Sequence, residues 1–160
     1  NLMITIRQLR EAIAEIVSTI PEIKKTRFVV SDDQMANTLE TFKNSENTML
    51  VCLVPTYQSF ASDEDITGYV SFMQFFLVDK LDYKTKSEDD FTEVFIKIQE
   101  IVQTFILKLF EYQIGDCLVF GNLQQNSIVI RPVLHKAQCN GWEIQIDDKT
   151  YSGIDGLIEE

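Results

Sequence analysis

Ser87–Tyr112, SEDDFTEVFIKIQEIVQTFILKLFEY, decides how the rest of the chain is read. Phe91, Val94, Phe95, Ile98, Ile101, Val102, Phe105, Leu109 and Phe110 recur at steps of three and four. That spacing places them on one face of an α-helix about six turns long. Ser87, Glu88, Asp89 and Asp90 can cap its free N–H groups and set negative charge at the positive end of the helix dipole. Gly115 supplies a stop. Ile96, Ile106 and Leu107 widen the apolar stripe, which predicts a helix covered on more than one side. The stretch reads as a central helix lying across a sheet. It is architecture and carries no chemistry of its own.

Upstream, Thr5–Ile20 is a second amphipathic helix, with Ile6, Leu9, Ile13, Ile16, Val17 and Ile20 on one face and Arg7, Arg10, Glu11 and Glu15 pointing away. Thr5 and Gln8 form a capping box, and Pro21 ends the helix. Lys25–Val30 reads as a short strand. Asp32 or Asp33 caps a short helix running to about Phe42, with Met35, Ala36, Leu39 and Phe42 inward. Lys43–Asn47 is a turn. Thr48–Val54 (TMLVCLV) is apolar on both faces, as a central strand is, and Pro55 closes it. Tyr57–Asp65 reads as a polar loop. Gly68–Asp79, rich in aromatics and Val, is a strand expected to pair antiparallel with the one before it.

Downstream of the central helix, Cys117–Phe120 is a short strand, and Ser127–Leu134 and Trp142–Asp147 are clearer ones. Trp142, Ile144 and Ile146 alternate with Glu143, Gln145 and Asp147, the pattern of a sheet with one wet face. Asn140-Gly141 signals the hairpin turn between them, and Pro132 implies an edge position or a bulge. The order α-β-α-β-β-α-β-β defines an α+β fold. It is a mostly antiparallel β-sheet packed with an N-terminal helix and a long central helix, and it ends in a closing β-hairpin. Residues 1–150 form a single domain, and 151–160 an acidic C-terminal tail.

The chain of 160 residues carries a formal charge of −11 and is 45% hydrophobic, enough for a sizeable core. That charge argues against nucleic acid and anionic membrane surfaces as partners. Cys52, Cys117 and Cys139 are odd in number and far apart, with no C-x-x-C pair, so a zinc or dithiol site is unsupported and a reducing compartment fits. No apolar run reaches the roughly 18 residues of a membrane span. No secretory pattern follows Asn1, and a trimmed start or tag remnant accounts for Asn1 ahead of Met3.

Candidate chemistry is sparse. His135 is the only histidine and lies far from any G-x-S-x-G turn, which the chain lacks. Asp63–Gly68 begins like an EF-hand loop but has Gln74 where the bidentate Glu belongs. Asp32-Asp33, Glu88-Asp89-Asp90 and Asp147-Asp148 could pair carboxylates for hydrolysis or magnesium, yet they fall where helix caps and a hairpin end are expected. Gly153-x-x-Gly156 has no strand–turn–helix context, and Trp142 and the Phe72, Phe75, Phe76 stripe read as core. The residues therefore point to a non-enzymatic protein with no catalytic residue, no cofactor and no metal.

With its elements in that order, the chain resembles the small tail-completion, or tail-terminator, proteins of tailed bacteriophages. The parts that carry the resemblance are the helix Thr5–Ile20, the strands Met49–Val54 and Gly68–Val78, the helix Asp90–Tyr112 and the hairpin Ser127–Asp147. Within that hairpin, RPVLHKAQCNGWEIQID places Gly-Trp before an alternating strand. The resemblance implies a structural virion protein, assembled in the host cytoplasm, with six copies forming a ring at the head–tail junction against other neck and tail-tube proteins. Ring closure of so acidic a subunit would set basic patches (Lys24, Lys25, Arg27) against acidic ones. Tyr57, Gln58, Phe60, Asp63 and Asp65 of the polar loop, with Lys84 and Lys86 of the Leu81–Asp90 connection, are the contact residues this implies. Two other readings stay open: a cytoplasmic adaptor, chaperone or immunity-type protein that binds a basic partner, and a small metal-dependent hydrolase using the acidic clusters.

Overall fold

A computed structural model describes residues 3–60, 66–82, 84, 87–115, 120 and 122–153, with the backbone alone at 66–67, 113–115, 135 and 151–153. Helix α1 (Ile6–Ser18) starts on the capping box read from the sequence. Thr5 Oγ1 accepts the Gln8 N–H at 3.1 Å, and Gln8 Oε1 accepts the Thr5 N–H at 3.0 Å. Strand β1 (Lys25–Val29) leads into α2 (Asp32–Thr41), a 3₁₀ turn at Asn44–Glu46 and strand β2 (Met49–Leu53). Then come β3 (Thr56–Ser59), β4 (Ile66–Lys80), α3 (Glu88–Gly115), β5 (Leu123–Lys136) and β6 (Cys139–Gly153). The fold is α+β. A six-stranded sheet runs in the order β1-β2-β4-β6-β5, parallel only at β1–β2, with β3 also paired to β4.

The two 15-residue strands β4 and β6 pair along their whole length and form the spine of the sheet. On one face, α1 and α3 lie over Leu50, Cys52, Met73, Phe75, Leu77, Ile144 and Ile146. The Phe75 and Phe105 rings meet edge-on there, with centroids 5.2 Å apart. On the other face, α2 lays Met35, Leu39 and Phe42 over Met49, Val51, Phe76 and Val78. Strand β2 is thus sandwiched between helices, which is why its sequence is apolar at every position. Beyond the reach of α2, Glu143, Gln145 and Asp147 are half-buried on the wet face that their alternation predicts.

Two polar links tie α3 to the sheet. Lys97 Nζ lies 3.0 Å from Asp79 Oδ2, whose other oxygen accepts the Thr48 hydroxyl at 2.6 Å. Trp142 Nε1–H donates to the Phe95 carbonyl at 3.0 Å, and the two rings pack edge-on. At the start of α3, Ser87 Oγ accepts the Asp90 N–H while Asp90 Oδ2 accepts the Ser87 N–H.

Several expectations are corrected. Of the expected polar loop Tyr57–Asp65, Tyr57–Ser59 belong to the strand Thr56–Ser59, which pairs with Tyr69–Phe72. After Pro55 the chain rejoins the edge of β4 that β2 has just left. The hairpin turn is Ala137-Gln138, with φ of 50° and 63°, and Asn140-Gly141 lies inside β6. Gly141 answers a different need: a Cβ there would overlap the Leu77 carbonyl of the neighbouring strand. The cap of α2 is Ser31, whose hydroxyl accepts the Gln34 N–H, with Asp32 and Asp33 in the first turn. Ile96 and Leu107 of α3 are 46% and 58% exposed, so that helix is covered on one side and keeps a free outer face. Pro132 sits in the edge strand β5, close to a register shift, as its chemistry requires. Of the expected strand Cys117–Phe120, residues 117–119 lie outside the described residues, and so do residues 154–160 of the tail.

Candidate functional site

The ends of the sheet and the outer helix faces determine what this molecule can engage. Strand β1 is an end strand of the sheet, and its Thr26 and Phe28 line an open gap shared with α1. The result is a slot of about 910 Å³ whose floor is Ile6, Ala14 and Val17 of α1 with Thr26 and Phe28 of β1. Arg7 and Arg10 stand on its rim beside Glu11. Both arginines are exposed, and no ion pair among the described residues engages either. The local charge is opposite to that of the chain. The first thirty residues hold five basic side chains (Arg7, Arg10, Lys24, Lys25, Arg27) against three acidic ones (Glu11, Glu15, Glu22).

The outer face of α3 has the opposite character. Glu93, Ile96, Glu100, Gln103 and Leu107 are all exposed and recur at steps of three and four, so they form one stripe along the helix. It lies opposite the buried stripe Ile98, Ile101, Val102, Phe105 and Leu109. From Ser87 to Tyr112 the helix carries six acidic side chains against Lys97 and Lys108.

A third feature is a cavity of about 260 Å³ on the α2 face, lined by Val30, Leu53, Phe72, Gln74, Gln145 and Asp147 among others. Its amides are already engaged, since Gln74 Nε2 and Gln145 Nε2 both donate to Glu143 Oε1 at 2.7 Å. Burial pushes the Asp147 carboxyl above its ordinary range, opposed by Lys149. Its backbone N–H donates to Ser127 Oγ at a bulge of β5.

The end strands of the sheet, β1 and β5, are poorly suited to pairing with further strands. Strand β1 is five residues long and carries Lys25 and Arg27. Strand β5 is interrupted by two register shifts and carries Arg131, Pro132 and Lys136. Charges, proline and bulges of this kind discourage edge-to-edge strand addition.

The acidic pairs do not converge. Asp32-Asp33 and Glu88-Asp89-Asp90 occupy first turns of different helices. Asp147 and Asp148 point to opposite faces of β6, as adjacent strand residues must. Asp148 is fully buried, accepting the Asn122 N–H at 3.0 Å and the Thr150 hydroxyl at 2.7 Å, and burial raises its carboxyl. Among the described residues no group of three metal-capable side chains comes together. Burial raises both described thiols, Cys139 to about 11 and Cys52 further still, so neither is a ready nucleophile. The side chain of His135 and residues 63–65 of the EF-hand-like loop lie outside the described residues. Among the described residues no helix is long and apolar enough to cross a membrane.

The residues read as contacts from the sequence are dispersed. Lys25 is taken by Glu46 at 2.6 Å, and that contact holds the Glu46 carboxyl below its ordinary range. Arg27 and Lys24 are exposed near it, with Arg27 Nη1 donating to the Thr26 carbonyl. Tyr57 donates its hydroxyl to the Ile4 carbonyl at 2.6 Å and so anchors the N-terminal segment. Gln58 is exposed on β3, and Phe60 is half-buried with Lys149 over its ring. Lys84 is exposed in the connection between β4 and α3. Asp63, Asp65 and Lys86 lie outside the described residues. Neither the slot nor the outer stripe of α3 is marked by the division into core and solvent faces, although the i, i+3, i+7 spacing from Glu93 to Leu107 is present in the sequence.

The chain matches no protein-family model, and no curated protein sequence is significantly similar to it.

Proposed function

We propose that this chain is a structural subunit that acts by closing into a ring, of the kind tail-completion proteins form at the phage head–tail junction, and that it catalyses no reaction. The observation that carries the reading is the layout. An N-terminal helix and a long helix lie side by side on one face of a mostly antiparallel sheet that ends in a long hairpin. A ring also needs two unlike surfaces on each copy. The basic slot beside α1 and the acidic outer face of α3 differ in this way. The subunit is expected to sit in the virion, against neighbouring neck and tail-tube proteins.

The test is mass by light scattering over a concentration series, with negative-stain images of the same sample. Closed rings of about six copies are expected. A monomer at every concentration, both alone and beside tail tubes, would overturn the reading. A one-to-one complex with a basic partner would replace it with the adaptor.

A further inference from the structure

We infer that the slot between α1 and β1 receives the outer stripe of α3 from a second copy of this chain. The inference rests on the ring reading and supplies its contact. Three matches support it.

The first is shape. Helices α1 and α3 already lie together on one face of the sheet, and the slot lined by α1 and β1 is open. A helix entering there would extend the helix layer by one member. Ala14, the small residue on that side of α1, allows the close axial approach that helix packing needs. The lengths agree as well. At 1.5 Å per residue, Ile6–Ser18 presents about 18 Å and Glu93–Leu107 about 21 Å.

The second match is apolar. Ile96 and Leu107 lie three turns apart on the α3 stripe, with too much exposed surface to be fixed by the molecule's own core. The slot offers a partner for them in Ile6, 43% exposed, and in half-buried Val17 and Phe28. The third is charge. Arg7 and Arg10 on the slot and Glu93 and Glu100 on the stripe are exposed and engaged in no ion pair among the described residues. The one acid on the rim, Glu11, leaves the slot net positive. The contact is heterologous, since slot and stripe are different surfaces. It therefore propagates from copy to copy rather than stopping at a two-fold dimer, and it gives a ring where the rotation closes.

The experiment is charge complementation with the full chain. One variant is Arg7→Glu/Arg10→Glu, which makes the slot acidic. The other is Glu93→Lys/Glu100→Lys, which makes the stripe basic. Each alone sets like charges face to face, and each is expected to raise the concentration needed for assembly by about 100-fold. Mixed one to one, each variant's slot meets the other's stripe with opposite charge, and assembly returns with the two variants in equal amounts. A third variant, Ile96→Ser/Leu107→Ser, is expected to weaken assembly about tenfold through the apolar part alone. All six positions are exposed, so far-ultraviolet circular dichroism and melting temperatures should match the parent. If the parent forms rings and either charge variant does so equally well, the slot assignment is overturned while the ring reading stands. The same holds if both variants fail and the mixture stays dispersed. A parent that never associates overturns both.

Discussion

Replacing Asp79 with alanine should weaken the seat of α3 by an amount the structure allows to be worked out. Asp79 is 2% exposed and Thr48 is fully buried, and the 2.6 Å bond between them lies where β4 and β2 end beneath α3. Removing the carboxylate leaves the Thr48 hydroxyl buried without its acceptor, which costs about 1–3 kcal/mol. Lys97 is 54% exposed at its side chain, so it returns to water, and its ion pair adds less than about 1 kcal/mol. The sum is about 1–4 kcal/mol. Thr48→Val made in the Asp79→Ala protein should then recover about 1–2 kcal/mol, because removing both polar partners together leaves nothing unsatisfied. Urea unfolding of the four proteins in the cycle gives the coupling directly. The single tryptophan, Trp142, bonded to the Phe95 carbonyl, reports the contact between α3 and the sheet through its fluorescence. A loss below about 1 kcal/mol for Asp79→Ala, or strict additivity with Thr48→Val, would refute the account.

Gly141→Ala should destabilise the fold by about 2 kcal/mol or more, seen as a lowered melting temperature, because its methyl would meet the Leu77 backbone rather than a yielding side chain. Ser71→Ala should stabilise by up to about 1 kcal/mol in urea, since the Ser71 hydroxyl is buried with no hydrogen-bond partner among the described residues. Asp148, raised by burial, binds its proton more readily folded than unfolded. It therefore adds stability at low pH that is lost as pH rises from the ordinary 3.8 through its raised value, so Asp148→Asn should gain on the parent across that window in urea midpoints taken at stepped pH. Rings should first gain from moderate salt, which screens repulsion between −11 subunits, and then dissociate at high salt as the slot pairs weaken; light scattering across a salt series reads both arms.

Much of the fold could be read locally. Thr5 and Gln8 announce the start of α1, and the apolar run MLVCLV announces a strand covered on both faces. Local pattern misleads where the deciding contact is distant in sequence. Thr56–Ser59 is polar enough to pass for a loop, and becomes a strand only because the far half of β4 has an open edge beside it. Asn140-Gly141 looks like a turn, yet that glycine is spent on the close approach of Leu77, and the turn falls on Ala137-Gln138, whose residues give no such signal. The slot was still less visible. Arg7 and Arg10 read correctly as pointing away from the core, but nothing local says that the sheet stops at β1 and leaves a channel beside them.

The breadth of the apolar pattern in α3 is a case of two signals superposed. Read as one stripe, Ile96 and Leu107 predict a helix enclosed on more than one side. In the isolated subunit they face solvent. The enclosed-helix expectation and the exposed residues agree once the second covering belongs to another copy. One helix then serves two layers: Ile98, Ile101, Val102, Phe105 and Leu109 fix it to its own sheet, and the stripe from Glu93 to Leu107 is free for the neighbour. On the ring reading, the links that seat α3, Lys97 to Asp79 and Trp142 to the Phe95 carbonyl, should bear on assembly without touching a partner. A helix that shifted on its own sheet would carry its outer charges out of reach of the next arginine pair. Loss of assembly from changes at the seat of α3, with the outer stripe intact, is what distinguishes a positioned surface from a merely charged one.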